Sequence, residues 1–239
     1  MRVAAITDSL ATGVRIAREV ERLPGVDFSI VCCNLGMRPA FRRWLREFAL
    51  ALKSFRWRQY ITKLWSYSRS GRLVILNQPL DDPASVARLK SLHCDVGLHA
   101  ANVIYRDATI AAFRLGILNA HIGILPGYRG RSVAEWSVLQ GDPTAITVFF
   151  IDNGIDTGSR IVLREFIPST DSKNVRELKS TLFGCDARLY RKALEVVVSD
   201  GFHCEHNDVS KGKRYYVMSR ILTSAVDSIL ESRTGAADE

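Results

Sequence analysis

The sequence predicts an α/β fold: a mostly parallel sheet with helices on both faces. Three observations carry this expectation. Short apolar runs bounded by turn residues alternate with segments of helical periodicity, helix-start signals stand where the runs end, and no internal repeat or low-complexity linker breaks the alternation.

The elements follow in order. Residues 2–7 read as a first core strand, 13–22 as a helix, and 28–33 and 73–76 as further strands. A helix over 83–92 starts from Asp82 as N-cap with Pro83 at its first position. A strand over 95–98 and a helix over 107–114, with Asp107 as N-cap, come next. The apolar run 116–122 reads as a buried strand, ended by Pro126 and the Gly127-Tyr128-Arg129-Gly130 turn. Ser132 and Glu135 form a capping-box start for a helix over 133–140. Strands over 147–151 and 161–168 flank a loop in which Gly154 and Gly158 permit a tight path. One long helix is expected over 175–198, then a basic stretch over 211–216, an amphipathic helix and a loose end at 234–239. The organisation expected is a catalytic domain over 1–201, with an insertion at 38–72, and a small appendage over 202–239.

Composition bounds the function. The chain has 239 residues, 47% of them hydrophobic, and a mean hydropathy near zero, enough for one sizeable core. It holds no run of about twenty uncharged apolar residues, which argues against a membrane span. Residues 1–8 are too short an apolar run to be a signal peptide, so a cytoplasmic protein is expected. Five cysteines, an odd number mostly embedded in apolar runs, suit buried thiols in a reducing compartment. No metal is expected: the 203–206 stretch lacks zinc-ligand spacing, and the calcium-like loop after Asp152 has Gly154 where an oxygen ligand is needed. The first turn, 7–13, lacks G-x-G-x-x-G, which argues against a dinucleotide.

Charge is unevenly placed. Residues 38–72 hold ten basic residues against one acid, Glu47, and this net +9 exceeds the whole chain's +8. Phe41, Trp44, Leu45, Phe48, Leu52 and Phe55 recur at helical spacing, so an amphipathic helix is expected there. Its basic face suits an anionic membrane surface, an RNA backbone or a phosphorylated substrate, and its apolar face suits the domain or a homodimer partner.

The densest chemistry lies in Asn119-Ala-His-Ile-Gly-Ile-Leu-Pro-Gly-Tyr-Arg-Gly130 and Asp152-Asn-Gly-Ile-Asp-Thr-Gly158. Strand side chains alternate, so Asn119 and His121 share one face at the strand's C-terminal end, the edge where open α/β sheets bind ligands. The following loop can deliver Asp156 to His121. An amide and an imidazolium can donate to a carbonyl oxygen as an amine attacks its carbon, each donor worth roughly 3–4 kcal/mol, while the carboxylate takes the amine proton. No Ser or Cys stands between them as a nucleophile, which favours direct transfer.

These elements resemble, in order and spacing, the folate-dependent formyltransferases, over roughly residues 1–201 and most weakly over 37–71. The resemblance implies the family's Rossmann-like fold, 10-formyltetrahydrofolate as donor, and Asn119, His121 and Asp156 as catalytic residues. It implicates Val103, Tyr105, Ile110, Ile117, Asn153 and Gly154 in the pterin pocket, and Ser9, Thr12 and Arg129 are acceptor-contact candidates. One departure stands out: many members have a Ser two residues after the His, where this chain has Gly123. The expected acceptor is a small-molecule amine, an amino sugar attached to a nucleotide, as in the short members of the family. An amino acid, a peptide, methionyl-tRNA, or water in a 10-formyltetrahydrofolate hydrolase are the alternatives, and nucleic acid is disfavoured.

Overall fold

The computed structural model describes residues 1–33 and 57–235. The chain divides into two compact units, Met1–Leu118 and Asn119–Glu239.

In the first unit β1 (Arg2–Thr7), β2 (Asp27–Cys32), β3 (Leu73–Ile75), β4 (Val96–Ala100) and the opening residues of β5 (Gly116–His121) are ordered β3-β2-β1-β4-β5, all parallel. Parallel strands are buried on both faces and read as unbroken apolar runs. Val3, Ala4, Ala5 and Ile6 do so, each at 0% exposure. Helix α1 (Leu10–Val20) starts earlier than its periodicity predicts, because Ser9 caps it and accepts from the Thr12 N–H at 3.3 Å. Gly13 therefore lies inside the helix, where a Cβ would come 2.8 Å from Ile30 Cγ2. Its missing side chain is what lets α1 approach β2.

Helix α2 (Trp57–Arg69) buries Tyr67 edge-on to Phe28, with ring centroids 6.3 Å apart. The Glu21 carboxylate accepts from both the Tyr67 hydroxyl and the Lys63 ammonium. Burial, reinforced by that carboxylate, pushes the Tyr67 phenol well above its ordinary range. The apolar stripe expected over 41–55 lies outside the described residues. Helix α3 (Pro83–Ser91) is capped by Asp82 as expected, which accepts from the Ala84 N–H at 2.8 Å. Helix α4 (Asp107–Ile110) stops well before 114, and its N-cap is Arg106 rather than Asp107. The Arg114 and Leu115 N–H groups are drawn instead to the Cys94 and Asp95 carbonyls, which ends the helix.

The second unit contains the last residues of β5, then β6 (Tyr128–Gly130), α5 (Val133–Gln140), β7 (Ala145–Phe150), β8 (Arg160–Phe166), α6 (Val175–Gly184), α7 (Asp186–Val198), β9 (Glu205–His206), β10 (Lys213–Tyr215) and α8 (Arg220–Gly235). Strands β7, β8 and β9 pair antiparallel in that order. Strands β6 and β10 form a separate parallel pair that the sequence reading missed, having read 127–130 as a turn. The single helix expected over 175–198 is two, because the Cys185 N–H closes on the Leu182 carbonyl and interrupts the ladder. The capping box is not formed either. Ser132 sits at φ +55° without capping α5 and accepts instead from the Met218 N–H at 3.2 Å. Glu135 is buried against Lys179 at 2.5 Å. Helix α8 extends into the end expected to be loose, of which 236–239 lie outside the described residues.

All five cysteines are free, and burial pushes the Cys33 and Cys94 thiols up to about 11. No helix among the described residues is long and apolar enough to cross a membrane.

Glu165 of β8 is clasped by two cations of α7, Arg188 and Lys192, the latter at 2.6 Å. The Arg188 hydrogen bond, with help from Lys192, holds its carboxyl below the ordinary glutamate range. A depressed folded pKa contributes stability above the unfolded value, about 4.3, that is lost as pH falls through the folded one. Glu165→Gln is therefore expected to cost about 1 kcal/mol near neutral pH and nothing once the native carboxyl is protonated, a convergence that urea titrations across the acid range would reveal.

Candidate active site

The site grows from the end of β5. Alternation along this strand sends Asn119 and His121 to the same face, with Ala120 between them tied to the scaffold by its N–H, which donates to Tyr190 Oη at 3.1 Å. Asn119 is half-buried, and no described residue hydrogen-bonds its carboxamide. That leaves its N–H groups available to an incoming oxygen.

His121 is 7% exposed, and both of its ring nitrogens face oxygen. Nε2 lies 2.8 Å from the Tyr128 carbonyl, and Nδ1 lies 3.4 Å from Asp156 Oδ1. Both partners, a carbonyl and a carboxylate, are acceptors. Phe149 packs edge-on against the imidazole at 6.5 Å and supplies an apolar wall. Of the predicted trio, the structure thus joins His121 and Asp156 directly and sets Asn119 one pleat back on the same strand.

Asp156 is delivered by the β7–β8 loop. Asp152 opens the loop by accepting from the Gly154 N–H at 2.9 Å and from Thr157 Oγ1 at 2.6 Å. The chain reaches Asp156 at φ +55°, the left-handed region that Asp tolerates better than most residues. Gly158 closes the loop where a Cβ would stand 1.8 Å from the Phe150 carbonyl oxygen. The carboxylate is aimed by a second bond, Oδ2 accepting from the Gly130 N–H at 2.9 Å, which leaves Oδ1 toward His121. The Pro126-to-Gly130 segment therefore supplies both the Tyr128 carbonyl and the Gly130 amide. Sequence reading placed these residues in a turn, but backbone groups carry no residue-type signal and went unnoticed.

Gly123 now has a local reason. A Cβ there would come 2.7 Å from His121 Nε2 and 2.9 Å from the Tyr128 carbonyl oxygen. The missing side chain makes room for the bond between them.

The other candidates are distributed over the two units. In the first, Ile117 is fully buried in β5, Tyr105 is buried and shares a 2.9 Å hydrogen bond between its hydroxyl and His99 Nδ1, and Val103 and Ile110 are half-buried. Ser9 and Thr12 there are occupied with the start of α1. In the second, Asn153 and Gly154 are exposed on the loop before Asp156. Arg129 turns its guanidinium to the Val209 and Gly212 carbonyls, at 3.0 and 3.2 Å.

Comparison with known proteins places the chain. The Formyl transferase family model matches residues 72–194, more than half of the sequence and both motif loops, and the chain belongs to that family. Among curated relatives it is 35% identical over 128 residues to a methionyl-tRNA formyltransferase of Flavobacterium psychrophilum, covering 52% of this chain and 40% of that protein. It is 30% identical over 154 residues to the enzyme of that name from Roseiflexus castenholzii, covering 64% and 49%. The chain thus spans less than half the length of these relatives. Among solved structures it is similar to a sugar N-formyltransferase from a Shewanella species, with TM-score 0.61 and 16% identity, covering 98% of this chain and 87% of that one. It is also similar to glycinamide ribonucleotide transformylase 1 from Symbiobacterium toebii, with TM-score 0.59 and 18% identity, covering 87% and 94%. These likenesses establish the formyltransferase fold.

Gly123→Ala tests the packing around His121. The added methyl is expected to push the ring from the Tyr128 carbonyl and to destabilise the protein by about 1–3 kcal/mol, measurable as a lowered denaturant midpoint at unchanged slope.

Proposed function

We propose that this chain transfers a formyl group from 10-formyltetrahydrofolate to the primary amine of a small molecule, an amino sugar linked to a nucleotide. The observation that carries the reading is the buried His121–Asp156 pair beside Asn119, at a strand end within the motifs of a formyl transferase. As the amine attacks the formyl carbon, negative charge gathers on the carbonyl oxygen, and the Asn119 amide donates to it. His121 holds the Asp156 carboxylate close by, and that carboxylate receives the proton the amine must shed. The N–C bond to the acceptor forms, the bond from the formyl carbon to the folate nitrogen breaks, and the leaving nitrogen takes up the proton that the amine gave to Asp156. The exposed loop residues Asn153 and Gly154, with Val103, Tyr105, Ile110 and Ile117, are the donor contacts that the family pattern assigns. Ser9, Thr12 and Arg129 are proposed on the acceptor side, and the cations of 38–72 draw a phosphorylated acceptor toward the protein.

The sugar acceptor is supported by likeness to a sugar N-formyltransferase over nearly the whole chain. A second reading, methionyl-tRNA as acceptor, is favoured by the higher sequence identity to enzymes of that name. Tetrahydrofolate release, followed with amino-sugar nucleotides, methionyl-tRNA, amino acids or no amine, separates the two. Release that needs an amino-sugar nucleotide upholds the proposal, release that needs methionyl-tRNA transfers it to the second reading, and release without any amine replaces both with hydrolysis.

Asn119→Ala, His121→Ala and Asp156→Asn are each expected to lower amine-dependent turnover at least about a hundredfold while donor affinity changes much less. Turnover near wild type in all three would show that the chemistry is elsewhere.

A further inference from the structure

The family model ends at residue 194, yet the chain beyond it returns to both motif loops. The Lys213 backbone N–H donates to the Gly127 carbonyl at 3.1 Å, and the Arg131 backbone N–H donates to the Tyr215 carbonyl at 3.0 Å, as β10 runs beside β6. The residue that reaches furthest toward the catalytic pair is Asn207, directly after β9. It is 2% exposed. Its backbone N–H donates to the Ser159 carbonyl at 2.9 Å. Its side-chain NH2 donates to the Gly158 carbonyl at 3.0 Å and to the Asp156 carbonyl at 3.4 Å.

These contacts fall where the loop is hardest to hold. Asp156 has left-handed backbone, and Gly158 is pressed against the Phe150 carbonyl, so the carbonyls of 156 and 158 are off any regular ladder. The side-chain amide, a neutral double donor, serves both acceptors. A carboxylate of the same shape would face them with lone pairs, and a hydrocarbon would leave both unpaired. The Asn207 side-chain oxygen, Oδ1, is itself buried without a partner among the described residues. That unmet acceptor is tolerated beside what the NH2 group holds.

We propose that Asn207 is a positioning residue for formyl transfer: it fixes the Asp156 backbone and thereby keeps the Asp156 carboxylate on His121. The proposal rests on the reading of His121 and Asp156 as the catalytic pair, and it extends the site beyond the family motifs.

The test uses Asn207→Ala and Asn207→Asp in the full-length chain. Asn207→Asp preserves volume and replaces the double donor by acceptors, so it reports on hydrogen bonding apart from packing. Both variants are expected to lose tenfold to about a hundredfold in kcat while KM for 10-formyltetrahydrofolate stays within about threefold. Nitrogen-15 NMR of the His121 ring, read in the free protein, should shift in both variants in the same sense as in Asp156→Asn. The NMR readout needs no turnover, so a wild-type protein that transferred no formyl group would sink the functional reading while leaving the positioning role open to a direct answer. The role is overturned if the Asp variant, or Ala where it folds, keeps wild-type ring signals, or if kcat per folded molecule is unchanged.

Discussion

The site depends on one imidazole held between two oxygens. His121 can meet the Tyr128 carbonyl and the Asp156 carboxylate together only if two loops approach the end of β5 from different sides. In a largely buried setting such charge-assisted contacts are stronger than in water, and a missing partner is costlier. The surrounding sequence meets that demand. Gly123 leaves space for the bond, Gly130 turns its amide to the carboxylate, and Gly158 lets the Asp156 loop close against Phe150. Three glycines, each required for a different steric reason, thus serve one histidine.

The hydroxyl bond of Thr147 belongs to the same constraint. From β7 it donates to the Gly123 carbonyl at 2.6 Å and accepts from the Leu125 N–H at 3.2 Å, stitching the segment after β5 to the strand that leads into the Asp156 loop. Leu125, Phe149 and Ile161 pack beneath it as a small apolar cluster. Motif and scaffold are therefore linked through Thr147, a residue outside both motif segments.

Strands β1, β2 and β4 were legible because burial on both faces writes itself as continuous apolar runs, and α3 was legible because its start carries local signals in Asp82 and Pro83, whereas α5 forms over the expected residues without the capping box that predicted it. Boundaries failed where distant backbone competed. Residue 114 leaves the expected helix because its N–H finds the Cys94 carbonyl, and Ser132 abandons its cap for the Met218 N–H, 86 positions away. Glu135, read as a capping partner, is instead buried with Lys179, because an ion-pair partner on another helix leaves no trace in local spacing.

Asn119, His121 and Asp156 could be picked out as candidates from the chain alone because an amide, an imidazole and a carboxylate suit the proposed chemistry, strand alternation pairs the first two, and the order of the motifs matches the family. What only the tertiary structure decided is how they are held. The Tyr128 carbonyl, the Gly130 amide and the Asn207 carboxamide act through backbone atoms or over long separations in sequence. Every residue has a carbonyl and nearly every one an amide, so only the folded path of the chain determines which of them meet a side chain.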